Sequence, residues 1–354
     1  MEKEKLISVE GLKVSFMTAN GEVQAVRGVD FELHAGETLA IVGESGCGKS
    51  VTVQTIMRLN PEPPAVIKEG KIHYTHGDVD VDIAKLSDKE MRSLRGKEFS
   101  MIFQDAMTSL NPTTRVGKQV AEAIRTHQKV SKKEARQKTL ELFERVGLPD
   151  AESVYLRYPH TMSGGQRQRV MIAMALACSP AVLFADEPTT ALDVTIQSQI
   201  LELMNSIKEQ ENMGIIFITH NLGIVSRMAD KVNVMYAGQF VEKGSLYDIF
   251  YHPKHPYTWG LLGSVPSVRE DRKERLASIP GTPPDLFAPP KGCAFAARCP
   301  YAMNVCREYN PGEYQIADGH TARCWLIDKE CPQEIVPPVG KDKDVFKTER
   351  KEQV

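Results

Sequence analysis

The sequence lacks a dominant charge and lacks any apolar run long enough to cross a membrane. Its 44 Lys and Arg residues against 46 Asp and Glu residues give a net charge of −2, which disfavours a dedicated nucleic-acid-binding protein. The longest apolar stretch, residues 170–185, is interrupted by Ser179 and Pro180 and falls short of the ~20 residues that a spanning helix needs. No secretory signal is visible, so we expect a cytoplasmic protein whose membrane role is peripheral and depends on a partner.

Cysteine is scarce over most of the chain, because only Cys47 and Cys178 precede residue 290. Five more lie close together near the end, at positions 293, 299, 306, 324 and 331. In the reducing compartment that we expect, metal binding explains such a group better than disulfides do. The spacing fits neither a standard zinc ribbon nor a ferredoxin run, so the residues leave a Cys₄ metal site and metal-free thiols both open.

From residue 6 to about 265 the chain alternates β-rich runs with helical periodicity, as layered α/β domains do. Three all-apolar runs, residues 38–42, 181–185 and 214–218, are typical of strands buried on both faces of a sheet. Residues from about 86 to 165 are rich in Lys, Glu, Arg and Leu, which predicts a helical insert in the α/β domain.

Proline becomes frequent after residue 250, as in residues 280–284 (Pro-Gly-Thr-Pro-Pro), which indicates irregular, turn-rich chain. The grouped cysteines lie in this part, and the last twenty residues are charged, which predicts disorder. The sequence thus predicts three parts: an α/β domain over residues 1–265, a small irregular cysteine-rich module over 266–334, and a disordered tail over 335–354.

Residues 43–50 read Gly-Glu-Ser-Gly-Cys-Gly-Lys-Ser, which matches the full P-loop pattern between an expected strand and an expected helix. Glycines let backbone N–H groups turn towards phosphates, and the N-terminus of the helix adds positive potential. Lys49 is expected to reach the β- and γ-phosphates, and the Ser50 hydroxyl to ligate Mg²⁺. The pattern therefore predicts a nucleotide site.

A second apolar strand, residues 181–185, runs directly into Asp186 and Glu187. Asp186 is expected at the C-terminal edge of the sheet, where it can hold Mg²⁺ through water. Glu187 is then placed to orient or polarise the attacking water as a general base. The alternative is a solvated turn after a strand, but the P-loop at this distance favours the catalytic interpretation.

The order of four motifs identifies a family. The P-loop is followed by Ser-Gly-Gly-Gln at 163–166, by the strand that ends in Asp-Glu-Pro, and by an isolated His220 after another strand. This arrangement resembles the ATP-binding-cassette (ABC) ATPases over residues 6–245. The resemblance implies a P-loop nucleotide-binding domain with a RecA-like α/β core, an antiparallel β subdomain and a helical insert.

The resemblance also implies roles for the positions that match the family's motifs. Glu187, His220 and Gln104 would carry catalysis, and Asp193 would lie at a dimer interface. Mg²⁺ would be held by Ser50, Gln104 and Asp186. ATP contacts are implied for Phe16 (stacking on adenine), Gly43, Ser45, Gly46, Gly48, Lys49, Ser50 and Val51 and, from the opposite subunit, for Ser163, Gly165 and Gln166.

In this family the Ser-Gly-Gly-Gln lid addresses the γ-phosphate bound to the opposite subunit, so the resemblance implies that catalysis needs a dimer. Met162 stands where the family more often has Leu, a volume-conserving exchange that cores tolerate. No expected catalytic position is altered. The chain is therefore predicted to hydrolyse ATP, which would close two cassettes when bound and release them when hydrolysed.

Two segments near the end resemble the C-terminal extension of dipeptide and oligopeptide importer ATPases: residues 255–262 (His-Pro-Tyr-Thr-Trp-Gly-Leu-Leu) and 292–300 (Gly-Cys-Ala-Phe-Ala-Ala-Arg-Cys-Pro). Members of that group carry a [4Fe–4S] cluster there. The resemblance assigns it to Cys293, Cys299, Cys306 and Cys324, with Cys331 left over. Zn²⁺ and four metal-free thiols are the alternatives.

The resemblance implies an importer for dipeptides or oligopeptides, bound at the cytoplasmic face of the membrane. Its partners would be a second cassette (a related but distinct subunit is favoured), two transmembrane permease subunits and an extracytoplasmic substrate-binding protein, without nucleic acid. Nickel chelates are an alternative substrate. A soluble ABC protein outside transport is the alternative class, although such proteins usually carry two fused cassettes or a long coiled-coil insert.

Overall fold

The computed structural model of the chain describes residues 3–104, 109–190, 192–264 and 279–331. The predicted disordered tail and most of the turn-rich segment after residue 264 lie outside the described residues. No helix in the described ranges is both long and apolar enough to cross a membrane.

The described strands form two sheets. They are β1 (Lys5–Thr18), β2 (Gly21–His34), β3 (Thr38–Val42), β4 (Ala65–His76), β5 (Val79–Asp82), β6 (Phe99–Ile102), β7 (Val182–Asp186), β8 (Gly214–Thr219), β9 (Lys231–Tyr236), β10 (Gln239–Ser245), β11 (Tyr314–Ala317) and β12 (His320–Ala322). One sheet is antiparallel, in the order β2-β1-β4-β5. The other has eight strands, in the order β11-β12-β10-β9-β3-β8-β7-β6.

The centre of the eight-stranded sheet is parallel, from β9 through β3, β8 and β7 to β6. β3, β7 and β8 are buried along their whole length, as all-apolar runs covered on both faces must be. The three predicted apolar strands are thereby confirmed. Because the strands are parallel, the loops that follow β3, β7 and β8 meet at one edge of the sheet.

The helices pack on the faces of this sheet and in the insert. They are α1 (Lys49–Ile56), α2 (Asp88–Leu94), α3 (Val116–His127), α4 (Lys132–Arg145), α5 (Ala151–Leu156), α6 (Gly164–Ala175), α7 (Val194–Glu211), α8 (Leu222–Met228), α9 (Leu246–Tyr251), α10 (Pro256–Gly263) and α11 (Asn304–Glu308). In α3, Val116, Val120 and Ile124 recur every four residues and face a core shared with Phe143 of α4.

The predicted helical insert is interrupted by a strand. β6 is a short run of four residues between segments with helical composition, which hides it from a periodicity argument. Phe99 and Ile102 are fully buried, and each residue of β6 pairs in parallel register with β7. The insert over residues 86–165 therefore contains one edge strand of the core sheet as well as α2 to α5.

The C-terminal module is joined to the main sheet rather than lying apart as irregular chain. β12 pairs with β10 at Glu242 and Lys243, and His320 Nε2 lies 3.0 Å from Glu242 Oε1 with both side chains buried. Phe295 packs against Tyr236, with ring centroids 5.3 Å apart. Most of residues 279–331 is irregular, but two strands and a buried polar pair fix the module to the eight-stranded sheet.

Candidate functional site

The P-loop leaves β3 at Val42 and turns into α1, with Gly48 as the residue that caps the helix. Gly48 has a φ of +107°, and a Cβ placed there would lie 2.5 Å from the carbonyl oxygen of Ala25. Only glycine adopts this backbone without strain and without that clash. The turn therefore points the first N–H groups of α1 into the loop, where an anion would bind.

Lys49 is held above the loop. Its Nζ donates to the carbonyl oxygens of Gly43 (2.8 Å) and Glu44 (3.0 Å), and the residue is only 6% exposed. The loop residues Ser45 and Gly46 are exposed, and Ser50 and Val51 are half-buried on α1. A buried ammonium group over an exposed loop of backbone amides is an arrangement that favours phosphate.

Ser50 and Asp186 meet at the C-terminal edge of the sheet. The Ser50 hydroxyl donates to Oδ1 of Asp186 at 3.0 Å. Burial raises the pKa of Asp186, and the charge of Glu187 adds to this effect, against the hydrogen bond from Ser50 and the charge of Lys49. A hydroxyl and a desolvated carboxylate are hard oxygen ligands and fit Mg²⁺, which takes one or two protein oxygens together with phosphate and water.

Glu187 is held by three side chains from three loops. Its Oε1 lies 2.9 Å from Nδ1 of His220, and its Oε2 accepts hydrogen bonds from Gln104 Nε2 and Thr190 Oγ1, each at 3.1 Å. The backbone of Glu187 has a φ of +46°, an uncommon value for a residue with a side chain. The loops after β6, β7 and β8 thus bring the three predicted catalytic side chains together.

The charge of Glu187 is also set by these neighbours. Burial on its own raises the pKa of Glu187, but the hydrogen bond and charge of His220, with help from Thr190 and Lys49, outweigh it and lower the pKa. Asp186 and Glu187 are adjacent carboxyl groups whose environments shift their pKa values in opposite directions. This is the pattern expected where two acids have different tasks.

The predicted lid residues lie at the start of α6. Ser163 and Gln166 form a capping box, in which Ser163 Oγ accepts from Gln166 N at 3.3 Å and Gln166 Oε1 accepts from Ser163 N at 3.2 Å. Ser163 is exposed. A Cβ on Gly165 would lie 2.8 Å from Cγ2 of Ile196, so this glycine lets α6 approach α7 closely.

The two remaining predicted contacts lie on other elements. Asp193 is exposed and caps α7 by accepting a hydrogen bond from Ile196 N at 2.9 Å. Val194, next to it, is 77% exposed. Phe16 is half-buried on β1, paired with Val23 on β2 and Ala65 on β4.

The prediction of a metal site in the C-terminal module is not supported by the structure. Within the described residues, no group of three or more His, Cys, Asp or Glu side chains is placed to hold a metal ion. Burial raises the pKa of Cys299 to about 11, with smaller contributions from Cys293 and Cys306, and the pKa of Cys324 is raised above its ordinary value for the same reasons. Cys293 and Cys299 are half-buried and Cys306 and Cys324 are buried, so desolvation works against the thiolate form at Cys299 and Cys324.

Sequence reasoning missed three residues that hold the site. Thr190, three residues after Glu187, donates a hydrogen bond to Glu187 that the sequence did not predict. Arg298 forms an ion pair with Glu44 in the P-loop, and the Tyr257 hydroxyl accepts from Glu44 N at 2.8 Å. Tyr257 and Arg298 lie within the two segments of the C-terminal extension, which is the only sequence signal that could have pointed to them.

The comparisons with known proteins agree with this geometry. Residues 26–190 match the family model described as "ABC transporter", and residues 241–306 match "Oligopeptide/dipeptide transporter, C-terminal region". The first match covers the P-loop, Gln104, the Ser-Gly-Gly-Gln motif and Glu187, and the second covers Tyr257 and Arg298; Phe16 and His220 lie outside both.

Curated relatives match along nearly the whole chain. It is 54% identical to the oligopeptide transport ATP-binding protein OppD of Bacillus subtilis, over 94% of this chain and 92% of the relative. It is 55% identical to the dipeptide transport ATP-binding protein DppD of the same organism, over 96% of this chain and 100% of the relative. The DppD of Lactococcus lactis is 52% identical over 94% of each chain.

Solved structures share the fold of the cassette. The dimeric structure of MJ0796, a bacterial ABC transporter cassette, aligns with a TM-score of 0.60 and 25% identity over 68% of this chain and 98% of that chain. A post-hydrolysis dimer of the same cassette with ADP and phosphate also gives a TM-score of 0.60, at 24% identity. Together with the curated relatives, these findings show that the chain belongs to the ABC transporter ATP-binding proteins, in the group of the oligopeptide and dipeptide transporters.

Proposed function

We propose that this chain hydrolyses ATP to drive the import of dipeptides or oligopeptides. The observation that carries the proposal is the position of Glu187, which His220, Gln104 and Thr190 hold beside the P-loop. A carboxylate kept ionised at that place is suited to orient and polarise a water molecule for attack on a γ-phosphate. The peptide substrate is supported by the names of relatives that are more than 50% identical.

The P-loop and the residues beside it, here called the cradle, each have a task in phosphoryl transfer. That reaction depends on positioning and charge neutralisation. Lys49 exchanges the carbonyl oxygens of Gly43 and Glu44 for the β- and γ-phosphates. Ser50 and Asp186 would hold Mg²⁺, which when bound neutralises phosphate charge. His220 would contact the γ-phosphate, since 56% of its side chain is accessible beside Glu187. Phe16 would stack on adenine.

The lid must come from a second cassette. Ser163, Gly165 and Gln166 lie at the exposed N-terminus of α6, where backbone amides and the helix dipole favour an anion. In the described structure their hydrogen bonds run to each other, not to the P-loop of the same chain. Asp193 and the highly exposed Val194 would lie in the joint between the two cassettes.

The remaining partners follow from the transport role. We infer two permease subunits, an extracytoplasmic binding protein and a second, distinct cassette, with this chain bound at the cytoplasmic face of the membrane. Import of nickel chelates is the alternative within transport, since the substrate is chosen by partners. A soluble ABC ATPase outside transport is the alternative class, and the match to a transporter-specific C-terminal region disfavours it.

Uptake by intact cells tests the proposal. Cells that lack this gene should lose growth on a dipeptide or oligopeptide that supplies a required amino acid, and the wild-type gene should restore it. A Glu187→Gln gene, expressed to the same level, should fail to restore growth. Peptide uptake that is normal without the gene, together with loss of nickel uptake, would favour the alternative substrate.

The iron–sulfur cluster remains a separate hypothesis about the C-terminal module. The grouping of Cys293, Cys299, Cys306 and Cys324 in one short segment motivates it, although no described group of side chains is placed to hold a metal ion. Anaerobic purification, with assays of iron and sulfide and a visible absorption spectrum, decides the matter. Colourless protein that contains neither element would exclude the cluster.

A further inference from the structure

Among the described residues, the ion pair between the P-loop and the C-terminal module is made by Glu44 and Arg298. Arg298 Nη1 lies 2.6 Å from Glu44 Oε2, and Arg298 Nη2 lies 2.8 Å from Glu44 Oε1, so the guanidinium group holds both carboxylate oxygens. Such two-pronged pairs are the strongest kind of charge-assisted hydrogen bond between side chains. The two residues are 254 positions apart in the sequence.

The Arg298 side chain is also held by residues other than Glu44. Its Nε donates to the carbonyl oxygen of Pro280 at 2.9 Å, Nη2 donates to that of Ile279 at 3.2 Å, and Nη1 contacts the Tyr236 hydroxyl at 3.3 Å. The guanidinium carbon also lies 5.7 Å from the centre of the Tyr236 ring. The side chain is only 4% exposed. A buried charge with this many fixed partners cannot swing away without leaving Glu44 unpaired.

Glu44 is held at its backbone as well as at its carboxylate. Its N–H donates to the hydroxyl of Tyr257, at 2.8 Å, and its carbonyl oxygen accepts from Nζ of Lys49, at 3.0 Å. Tyr257 lies on α10, outside the part of the chain that carries the P-loop and the strand-end carboxylates. The chain after residue 250 therefore contacts the same P-loop residue that positions the phosphate-binding lysine.

We propose that Arg298 is a positioning residue of the nucleotide site, which neutralises and fixes the Glu44 carboxylate so that the C-terminal module sets the affinity of the P-loop for ATP. The inference rests on the proposed ATPase function. Glu44 stands in a loop that must accept a highly negative phosphate chain, and its own carboxylate repels that chain unless a cation pairs with it.

The test is ATP binding and turnover by the full chain with Arg298→Met, which keeps the bulk of the side chain and removes its charge. The KM and the dissociation constant for Mg-ATP should rise about tenfold or more, because a half-buried carboxylate loses its two-pronged partner. The fall in kcat should be much smaller. Arg307→Met is the matched control, because Arg307 is an exposed arginine of the same module, next to Cys306 as Arg298 is next to Cys299.

A double variant separates positioning of the loop from general damage to the fold. Adding Glu44→Gln to Arg298→Met removes the unpaired charge and should restore most of the affinity for ATP. A purely structural role predicts that the single and the double variant are equally impaired, and that result would overturn the proposal.

Arg298→Lys covers the case in which Arg298→Met does not fold. Lysine keeps the positive charge but cannot form the second hydrogen bond to the Glu44 carboxylate. The KM for Mg-ATP should therefore rise severalfold, with kcat nearly unchanged. A KM equal to that of the wild type in either Arg298 variant would refute the proposal. A wild-type chain that neither binds nor hydrolyses ATP would instead refute the proposed function itself, so the two failures can be told apart.

Discussion

Oε1 of Glu187 lies 2.9 Å from Nδ1 of His220, although 33 residues separate them in the sequence. Each residue follows a parallel strand, β7 and β8, and the two strands are neighbours in the sheet. The carboxylate is 10% exposed and the imidazole 56%. The buried acid is therefore oriented by a side chain that can still reach a ligand from the solvent side, and both groups can change partners when a γ-phosphate enters.

Replacing Glu187 by Gln should abolish turnover but leave ATP binding intact. The amide keeps the shape of the side chain and can still contact Gln104 and Thr190, but it cannot accept a proton. We expect kcat to fall by about 10²–10⁴-fold, the usual contribution of a general base. Single-turnover hydrolysis and equilibrium binding of Mg-ATP measure the two effects. Near-normal hydrolysis would exclude Glu187 as the base.

Replacing His220 by Ala should move the acidic limb of the pH–rate profile to higher pH. His220 is the main group that lowers the pKa of Glu187 against the effect of burial, so its loss lets that pKa rise. Glu187 then becomes protonated, and inactive as a base, at a higher pH than in the wild type. The pH dependence of the residual turnover shows this shift.

Thr190→Val is the comparison for His220→Ala, because Thr190 contacts the same carboxylate and lowers its pKa less. It should shift the acidic limb in the same direction by a smaller amount. An acidic limb that stays in place in both variants, or that moves to lower pH, would contradict the assignment of that limb to Glu187.

Gly48→Ala should destabilise the free protein and weaken ATP binding. The new Cβ would sit 2.5 Å from the carbonyl oxygen of Ala25, at a φ of +107°. The strained backbone alone costs about 1–3 kcal/mol, and the clash adds to that. Gly46→Ala is the control, because Gly46 also has a positive φ, +78°, but a Cβ there meets nothing within 4 Å. Urea unfolding gives the free energy of unfolding of both variants, and the difference between them measures the cost of the clash at Gly48. Equal losses of stability would show that the clash contributes nothing.

The predictable parts of the site are the motifs that directly follow an apolar strand in the sequence. The P-loop follows β3, Asp186 ends β7 and His220 follows β8, so the motif at the end of each apolar strand already tells which edge of the sheet it reaches. The strand β6 was not predicted because four residues are too few to show a period between helical segments.

The link between Arg298 and Glu44 could not be predicted, for a different reason. It depends on how β12 docks on β10 and how Phe295 packs on Tyr236, which are tertiary contacts without a local pattern. A residue pair 254 positions apart leaves no trace in periodicity or spacing. The cysteines are the conspicuous feature of the C-terminal sequence, but the contacts with the P-loop are made by Arg298 and Tyr257.

Ser163→Ala should lower turnover while the fold survives. Ser163 caps α6 through a capping box with Gln166, and Ser131 caps α4 through an equivalent box with Glu134. Either Ser→Ala change costs about 0.5–2 kcal/mol of stability. Only Ser163 belongs to the proposed lid, so Ser131→Ala should leave kcat unchanged. Similar losses of turnover in the two variants would mean that Ser163 acts through helix stability alone.

Mixing two impaired variants of the isolated chain, which without its partner cassette can pair only with a second copy of itself, tests whether the lid acts on the opposite subunit. Lys49→Ala removes the ammonium of the cradle, and Ser163→Ala weakens the lid. A mixed pair contains one composite site in which both mutations lie and one in which neither does, if lid and cradle come from different chains. Mixing should therefore restore part of the turnover, and the restored activity should fall on dilution as pairs dissociate. If the lid closed on its own cradle, every site in the mixture would carry one mutation, and mixing would restore nothing.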